Sequence, residues 1–254
     1  MLSGYRSTRE GRPVRGVRYS DSAVRLMTYN LNYGNPDPIG SLDAIAAADA
    51  DVVLLQEITA GWQRALAKRF ATQYPTHIFR LHRRNAGGLA VLSKLPVGGE
   101  ELLSPPDGGW FPAQRMVVTT PFGECEMLHV HLRPALDNGS WISGFMTTPP
   151  VREQEMIKYW KELARALPVI VAGDFNEDPT GLALAFLDKQ GATRVATTGP
   201  RTWHYEQDSW DVLKMDLDHI VISGELSATD AVVLDTGTSD HRPVLATISA
   251  KLAA

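Results

Sequence analysis

The chain has 254 residues, of which 44% are hydrophobic and 21% charged, a composition typical of a soluble globular protein. Its net charge of −4 argues against a protein that attracts nucleic acid through its overall charge. No apolar run reaches the roughly 18 residues that span a bilayer, and the N-terminus lacks the apolar core of a secretory signal. We therefore expect a cytoplasmic monomer, with secretion still open if the sequence is part of a longer protein.

The first 23 residues are a basic segment that precedes the first predicted strand. Arginine recurs there at every third position, and only two acids, Glu10 and Asp21, accompany the arginines Arg6, Arg9, Arg12, Arg15 and Arg18. Because the segment has almost no apolar residue to anchor it, we expect a flexible, solvated arm. A tail that contacts phosphate is the alternative interpretation. Residues 24–254 are expected to form one catalytic domain.

From residue 24 onward, short apolar runs alternate with helical patterns. Strands are predicted at 24–29, 51–56, 88–93, 116–120, 126–132, 169–172, 219–223, 231–234 and 244–248. Helices are predicted at 42–48, 60–70, 151–166 and 182–190. Two further segments, 104–114 and 133–150, combine proline and glycine with aromatic residues. We interpret them as loops that either fold onto the core or line a binding groove.

Polar side chains stand where the predicted strands end. In chain order they are Asn30, Asn32, Glu57, His131, Asp174, Asn176, Asp218, Asp240 and His241. Because the ends of neighbouring strands converge on one crevice in α/β folds, we expect these side chains to meet in space. Oxygen donors without cysteine suit Mg²⁺ or Mn²⁺, as one ion or two, better than a thiolate zinc site.

This set of residues favours hydrolysis of phosphoesters. A hard cation polarises a phosphoryl oxygen, a carboxylate can activate water, and histidines can carry positive charge toward phosphate. The sequence contains neither the Gly-x-Ser-x-Gly turn of serine hydrolases nor the Gly-x-x-x-x-Gly-Lys loop of nucleotide-hydrolysing motors. Both of those classes are therefore disfavoured.

Seven sequence strings occur in an order that resembles a known superfamily. They are TYNLN, LLQEI, GGLAVLSKLP, HVHLRP, VAGDFNEDP, MDLDHIVIS and SDHRPV. They resemble the motifs of the endonuclease/exonuclease/phosphatase superfamily, which includes pancreatic-type deoxyribonucleases, abasic-site endonucleases, neutral sphingomyelinases and inositol polyphosphate phosphatases. The resemblance covers about residues 24–248. It implies an α/β four-layer sandwich, in which two mixed β-sheets pack face to face with helices outside.

The resemblance also implies roles for the metal and water residues. Glu57 matches the principal metal ligand, with Asn30 beside it and Asp240 as a further metal-associated acid. Asp174 matches the carboxylate that orients or deprotonates the attacking water, and Asn176 matches a residue that positions phosphate. A structural alternative for Glu57 is that it belongs to the first turn of the following helix.

Two of the motifs each contain a pair of similar residues, of which only one is expected to act in the reaction. His241 matches the histidine that donates to the scissile phosphate, and Asp218 the carboxylate that orients it. Strand alternation places Asp216 on the same face, but the family pattern favours Asp218. His131 matches a second histidine, a candidate general acid for the leaving oxygen. His129 shares its face deeper in the strand, and we interpret it as structural.

Substrate contacts are expected from side chains at the strand ends and in the two aromatic loops. Asn32, Arg133, Trp110 and Trp141 are candidates, and Asn32 stands where abasic-site endonucleases carry an acid, which disfavours that subclass. We expect a metal-dependent phosphodiesterase whose substrate is a small diester, a nucleic acid or a lipid headgroup. A nuclease is the first alternative, a sphingomyelinase-like lipid phosphodiesterase the second, and a non-catalytic phosphate-binding module represents a different class.

Overall fold

The computed structural model describes residues 23–207 and 210–251. One six-stranded sheet has the order β13-β14-β1-β2-β4-β3 and consists of β1 (Ala23–Asn30), β2 (Val52–Gln56), β3 (Thr76–Arg80), β4 (Leu89–Ser93), β13 (Leu226–Val233) and β14 (Val244–Ala250). The other has the order β5-β6-β7-β8-β12-β9 and consists of β5 (Val97–Leu103), β6 (Ala113–Thr120), β7 (Gly123–His131), β8 (Val169–Asp174), β9 (Ala192–Arg194) and β12 (Asp218–Ser223). A separate hairpin pairs β10 (Trp203–Gln207) with β11 (Trp210–Met215).

Five α-helices accompany these strands in the described residues. They are α1 (Pro38–Ala48), α2 (Ala60–Arg69), α3 (Trp141–Thr147), α4 (Pro149–Lys161) and α5 (Leu182–Lys189). Asp37 caps α1 by accepting hydrogen bonds from the first-turn amides, and the Thr59 hydroxyl caps α2 in the same way. None of these helices has the length and apolar character that a membrane span requires.

Strand alternation produces the four layers. Leu26 and Met127, one from each sheet, belong to a buried cluster shared by the two facing sheets. Their neighbours point the other way: Met27 packs in the cluster that includes α1 and α2, and Leu128 in the cluster that includes α4 and α5. Both sheets are mixed, since β1–β2 and β7–β8 are parallel and the other pairs are antiparallel. The predicted four-layer sandwich is confirmed.

The strand register brings the polar strand ends to one edge of the sandwich. His131 at the end of β7 and Asp218 at the start of β12 are both partners of Asp174 at the end of β8. In the other sheet, Asn30 ends β1 opposite Gln56, the residue before Glu57. Because β12 is antiparallel to β8, its first residue lies at the same edge as the last residue of β8. Parallel and antiparallel neighbours thus contribute to one cleft.

Several predicted element boundaries are wrong. Helix α1 begins at Pro38 rather than 42, because Asp37 and Pro38 supply a cap and a first-turn proline. Helix α4 ends at Lys161 rather than 166. The segment predicted as the loop 133–150 contains α3, and residue 113, assigned to the loop 104–114, begins β6. The predicted arm 1–23 lies outside the described residues except for Ala23.

Candidate active site

A buried histidine–carboxylate cluster lies at the centre of the cleft. His241 Nδ1 is 2.8 Å from Asp218 Oδ2, and His241 Nε2 is 3.7 Å from Asp174 Oδ2. On the other side of Asp174, the same Oδ2 is 3.5 Å from His131 Nε2. All four side chains are buried. Asp216 instead pairs with Arg201 at the surface, so it is Asp218 that the fold places against His241.

Several residues of the cleft have a positive backbone dihedral angle φ. Glu57, Asn32 and Asn176 have φ values of 64°, 55° and 52°, in the left-handed region that costs non-glycine residues of order 1 kcal/mol or more. Gly173, before Asp174, has φ 148°, and a Cβ there would stand 1.9 Å from the Val130 carbonyl oxygen. Only glycine therefore lets β8 approach β7 closely at this point.

Burial and the charges of neighbouring side chains shift the pKa values of Asp174, His241 and His131 in different directions. Burial raises the pKa of Asp174 to about 7, although the nearby His241 opposes the shift. Burial alone would lower the pKa of His241, but the carboxylates of Asp218 and Asp174 raise it well above its usual value. For His131 burial is the largest effect and outweighs the nearby charges, so its pKa is lowered to about 4. At neutral pH the cluster therefore holds a cationic His241 beside a neutral His131.

Glu57 and Asn30 offer oxygen donors next to this cluster. Asn30 Nδ2 donates to Glu57 Oε1 at 3.2 Å and to Asp174 Oδ2 at 2.9 Å, and thus joins carboxylates that come from different sheets. Asn30 Oδ1 accepts a hydrogen bond from Asn32 N at 3.0 Å, and its second lone pair is the oxygen donor that Asn30 would offer a cation. Because Thr59 caps α2, Glu57 lies outside that helix. The helix-start interpretation of Glu57 is therefore wrong.

A second group of possible ligands is Asp174, Asp218 and His241, whose ligand atoms all lie within 4.8 Å of one another. The short contact between His241 and Asp218 already satisfies one oxygen and one ring nitrogen, while Asp218 Oδ1 has no partner. We favour Glu57 and Asn30 as the cation side of the cleft, because Glu57 lines the pocket and both supply hard oxygen donors. The donor chemistry fits a divalent cation.

Asp240 links the cleft to the β10–β11 hairpin. Its carboxylate accepts hydrogen bonds from Asn32 Nδ2 at 2.9 Å and Trp203 Nε1 at 3.1 Å. The hairpin is also tied to this segment through its backbone, because His204 N donates to Asp240 O and Arg242 N to Thr202 O. His204 lies in β10.

The start of α4 braces two loops of the cleft. Arg152 is buried, pairs with Glu177 at 3.4 Å and donates to the Arg133 carbonyl oxygen. Glu155, one turn further, accepts a hydrogen bond from Arg133 N. Asn176 lies at the pocket and its side chain donates to the carbonyl of Leu132, which joins the end of β8 to the end of β7.

These groups open into a pocket of about 630 Å³. The predicted substrate residues Asn32, Trp110 and Trp141 line it, as do the predicted Glu57, Asp174, Asn176, His131, Asp240 and His241. Arg133 lies outside the lining. Its guanidinium is 3.7 Å from the centre of the Trp110 ring and donates to the carbonyls of Gly108 and Leu136. Arg133 therefore holds Trp110 in place.

Two features were not predicted from the sequence: the pocket residues supplied by the β10–β11 hairpin, and the buried contacts of His129 that connect the two sheets. Trp203, Tyr205 and Leu213 line the pocket from β10 and β11, and the alternation of Trp203 and Tyr205 was the available signal. Inside the sandwich, His129 Nε2 is 2.6 Å from Gln56 Nε2 and its Nδ1 is 3.3 Å from Gln114 Oε1, which connects the two sheets. His129 is buried and outside the pocket lining, in agreement with its structural interpretation.

Comparison with known proteins identifies the family. The sequence matches the model of the Endonuclease/Exonuclease/phosphatase family over residues 27–241, which include nearly all of the cleft residues described above. The chain belongs to this family. Members of the endonuclease/exonuclease/phosphatase family are phosphoester hydrolases and are generally dependent on divalent metal. A search of curated proteins finds no match.

Solved structures of this family share the fold at low sequence identity. Sphingomyelinase C from Streptomyces griseocarneus is 17% identical, with a TM-score of 0.66 over 89% of this chain and 99% of that chain. TDP2 from D. rerio, in complex with a single-strand DNA product, is 17% identical, with a TM-score of 0.68 over 90% and 100% of the two chains. A family protein from Beutenbergia cavernae is 20% identical, with a TM-score of 0.65 over 90% and 72%.

Proposed function

We propose that this protein is a phosphodiesterase that uses Mg²⁺ or Mn²⁺ and water activated at Asp174. The observation that carries the proposal is the convergence of Glu57, Asp174 and His241, from separate strand ends, on the floor of one pocket. A bound cation would polarise the phosphoryl oxygen and stabilise charge on the attacking and leaving oxygens. Glu57 and Asn30 would hold it, with Asp240 nearby.

Asp174 is the residue suited to activate water. A general base works best when its pKa lies near the working pH, and burial raises the pKa of Asp174 to about 7. Its Oδ1 accepts a hydrogen bond from Asn176 N, which fixes the plane of the carboxylate. A cation beside Glu57 would favour the ionised form of Asp174 that accepts the proton of water.

His241 and His131 divide the remaining work by charge. His241, kept cationic by Asp218, would donate a charged hydrogen bond to a non-bridging phosphoryl oxygen, where negative charge grows in the transition state. His131 is neutral at pH 7 and packs on Phe111 with ring centroids 4.6 Å apart. As a neutral imidazole it would donate a hydrogen bond from a ring N–H to the leaving oxygen. Asn176 retains one amide proton for phosphate beyond its bond to Leu132.

The test is hydrolysis of bis(p-nitrophenyl) phosphate after complete chelation and after return of Mg²⁺ or Mn²⁺. We expect no turnover with excess EDTA and recovery with either ion. Asp174→Asn and Glu57→Gln should each lose about 10²-fold or more in kcat, since one preorganised group at the transition state contributes roughly 3–4 kcal/mol. The matched control is Glu124→Gln at the exposed, opposite end of β7, which should keep its activity. Full activity after chelation would refute the proposal.

The melting temperature of the Asp174→Asn variant shows separately whether Asp174 is needed for the fold. Burial disfavours the charged form of Asp174, so neutralising it should leave the melting temperature of the metal-free protein unchanged or higher. A loss of activity together with a large fall in melting temperature would instead indicate that Asp174 acts as a structural residue.

A further inference from the structure

The catalytic pocket has a polar floor and apolar walls. Helix α3 and the segment before it form one wall with Leu136, Trp141 and Phe145, and the hairpin forms another with Tyr205 and Leu213. His131, Asp174 and His241 also line the pocket but are buried, so they form its floor. A phosphoryl group held at the floor would therefore have its substituents next to the apolar side chains that line the rest of the pocket.

These apolar side chains are unusually exposed for their type. Trp141 is 54% exposed, Tyr205 50% and Leu213 41%. Large apolar side chains that stay in contact with water around a pocket mark a surface where an apolar partner binds. Met146 is 80% exposed on the same helix as Trp141 but does not line the pocket, and so offers an internal comparison.

Within residues 23–207 and 210–251, the apolar side chains of the pocket are not accompanied by basic side chains that could bind the successive phosphates of a nucleic acid. Among the residues that the structure describes, no lysine or arginine lines the pocket. Arg84 and Arg133 stack on the ring of the pocket residue Trp110, with their guanidinium carbons 4.6 and 3.7 Å from its centre. Proteins that bind nucleic acid generally meet flanking phosphates with lysine or arginine. A bound metal ion would compensate only the phosphate at the floor.

We propose that the pocket selects phosphoesters with an apolar substituent, either an aromatic ring or an alkyl chain, which lies between α3 and the β10–β11 hairpin. The reaction itself rests on the proposed function, whereas the binding preference does not. A volume of about 630 Å³ is ample for a phosphoryl group with one such substituent. The substrate class is then small apolar esters, and a nucleic acid is disfavoured.

The experiment measures binding without turnover, through quenching of intrinsic tryptophan fluorescence in the presence of Mg²⁺. The probes are methylphosphonate, hexylphosphonate and phenylphosphonate, whose C–P bond is not hydrolysed, and an eight-residue thymidine oligonucleotide. We expect the hexyl or the phenyl compound to bind at least about tenfold more tightly than the methyl compound, because either would bury apolar surface that methyl lacks. Tighter binding of hexylphosphonate would indicate a substrate with an alkyl chain, and tighter binding of phenylphosphonate a substrate with an aromatic ring.

Two wall variants that retain all tryptophans connect the preference to the pocket. Phe145→Ala on α3 and Leu213→Ala on β11 should each reduce the ratio of apolar to methyl affinity by about threefold or more. The control Met146→Ala should leave the ratio within about twofold. Because Phe145 and Leu213 are 38% and 41% exposed, their truncation costs little packing, and thermal melting checks the fold.

The outcomes separate this inference from the proposed function. Equal binding of the three phosphonates, or tighter binding of the oligonucleotide than of either apolar phosphonate, would overturn the inference even if bis(p-nitrophenyl) phosphate is hydrolysed. An intact preference that both wall variants reduce, in a protein without hydrolytic activity, would support the apolar pocket and refute only the proposed reaction.

Discussion

Asp218 can be tested against its near neighbour Asp216, since both acids belong to the string MDLDHI. Asp218 Oδ2 is 2.8 Å from His241 Nδ1 inside the protein, and its charge contributes to the raised pKa of His241. In Asp218→Asn the negative charge is lost, so burial would lower the pKa of His241 and leave the ring neutral at pH 7. The phosphoryl oxygen would then lose a charged donor.

The size of the loss follows from the value of one preorganised charged group. One such group stabilises the transition state by roughly 3–4 kcal/mol, so kcat for bis(p-nitrophenyl) phosphate should fall about 10²- to 10³-fold in Asp218→Asn. The pH optimum of the residual activity should also move toward acid, because a histidine with a lowered pKa regains its proton only there, and activity should fall again once Asp174 is protonated. Asp216→Asn, which weakens the surface pair with Arg201 and can keep the hydrogen bond that Thr202 N donates to Oδ1, should stay within about threefold of the parent. Equal losses in the two variants would refute the assignment of Asp218.

Two further histidine predictions separate chemistry from structure. His131→Ala should slow the release of an alkoxide more than that of p-nitrophenolate, because a hydrogen bond to the leaving oxygen matters most when that oxygen is basic; equal slowing would leave His131 as a phosphate contact only. For His129, burial lowers the pKa to about 3, so the unfolded chain takes up a proton below about pH 6.5 while the native state does not, and stability falls with pH. Between pH 7.5 and 4.5, measured by chemical denaturation, the free energy of unfolding should therefore fall by roughly 2.7 kcal/mol less in His129→Gln than in the parent; identical pH slopes would contradict a neutral, buried His129.

The central strands and the cleft residues could be predicted from the sequence because two signals coincide there. Runs such as that of β8 are apolar throughout, since both faces of the strand are buried, and a polar residue follows at once where the strand reaches the cleft. The ordered motifs then assigned each polar residue a role. The preference for Asp218 over Asp216 came from the family pattern, since alternation alone places both on one face.

The edge strands, helix α3 and the hairpin could not be predicted because their sequences carry weak local signals. Strands β3, β5 and β9 are only partly buried and lack a long apolar run. Helix α3 has only seven residues and includes Gly144, a poor helix former, where a Cβ would stand 2.2 Å from the Ala135 backbone. That glycine is explained by tertiary packing, which only the structure reveals. The hairpin is stabilised by contacts with Asp240, far away in sequence.

The central claim is that water at Asp174 attacks phosphorus in a metal-dependent step. Its most direct test is cleavage of methyl p-nitrophenyl phosphate in ¹⁸O-labelled water, under single-turnover conditions and with Mg²⁺ or Mn²⁺ present. We predict one labelled oxygen in the methyl phosphate product and none in the p-nitrophenol, with the reaction abolished by EDTA and slowed about 10²-fold or more in Asp174→Asn. Label in the p-nitrophenol, or labelled methyl phosphate formed at an undiminished rate without metal, would contradict the account.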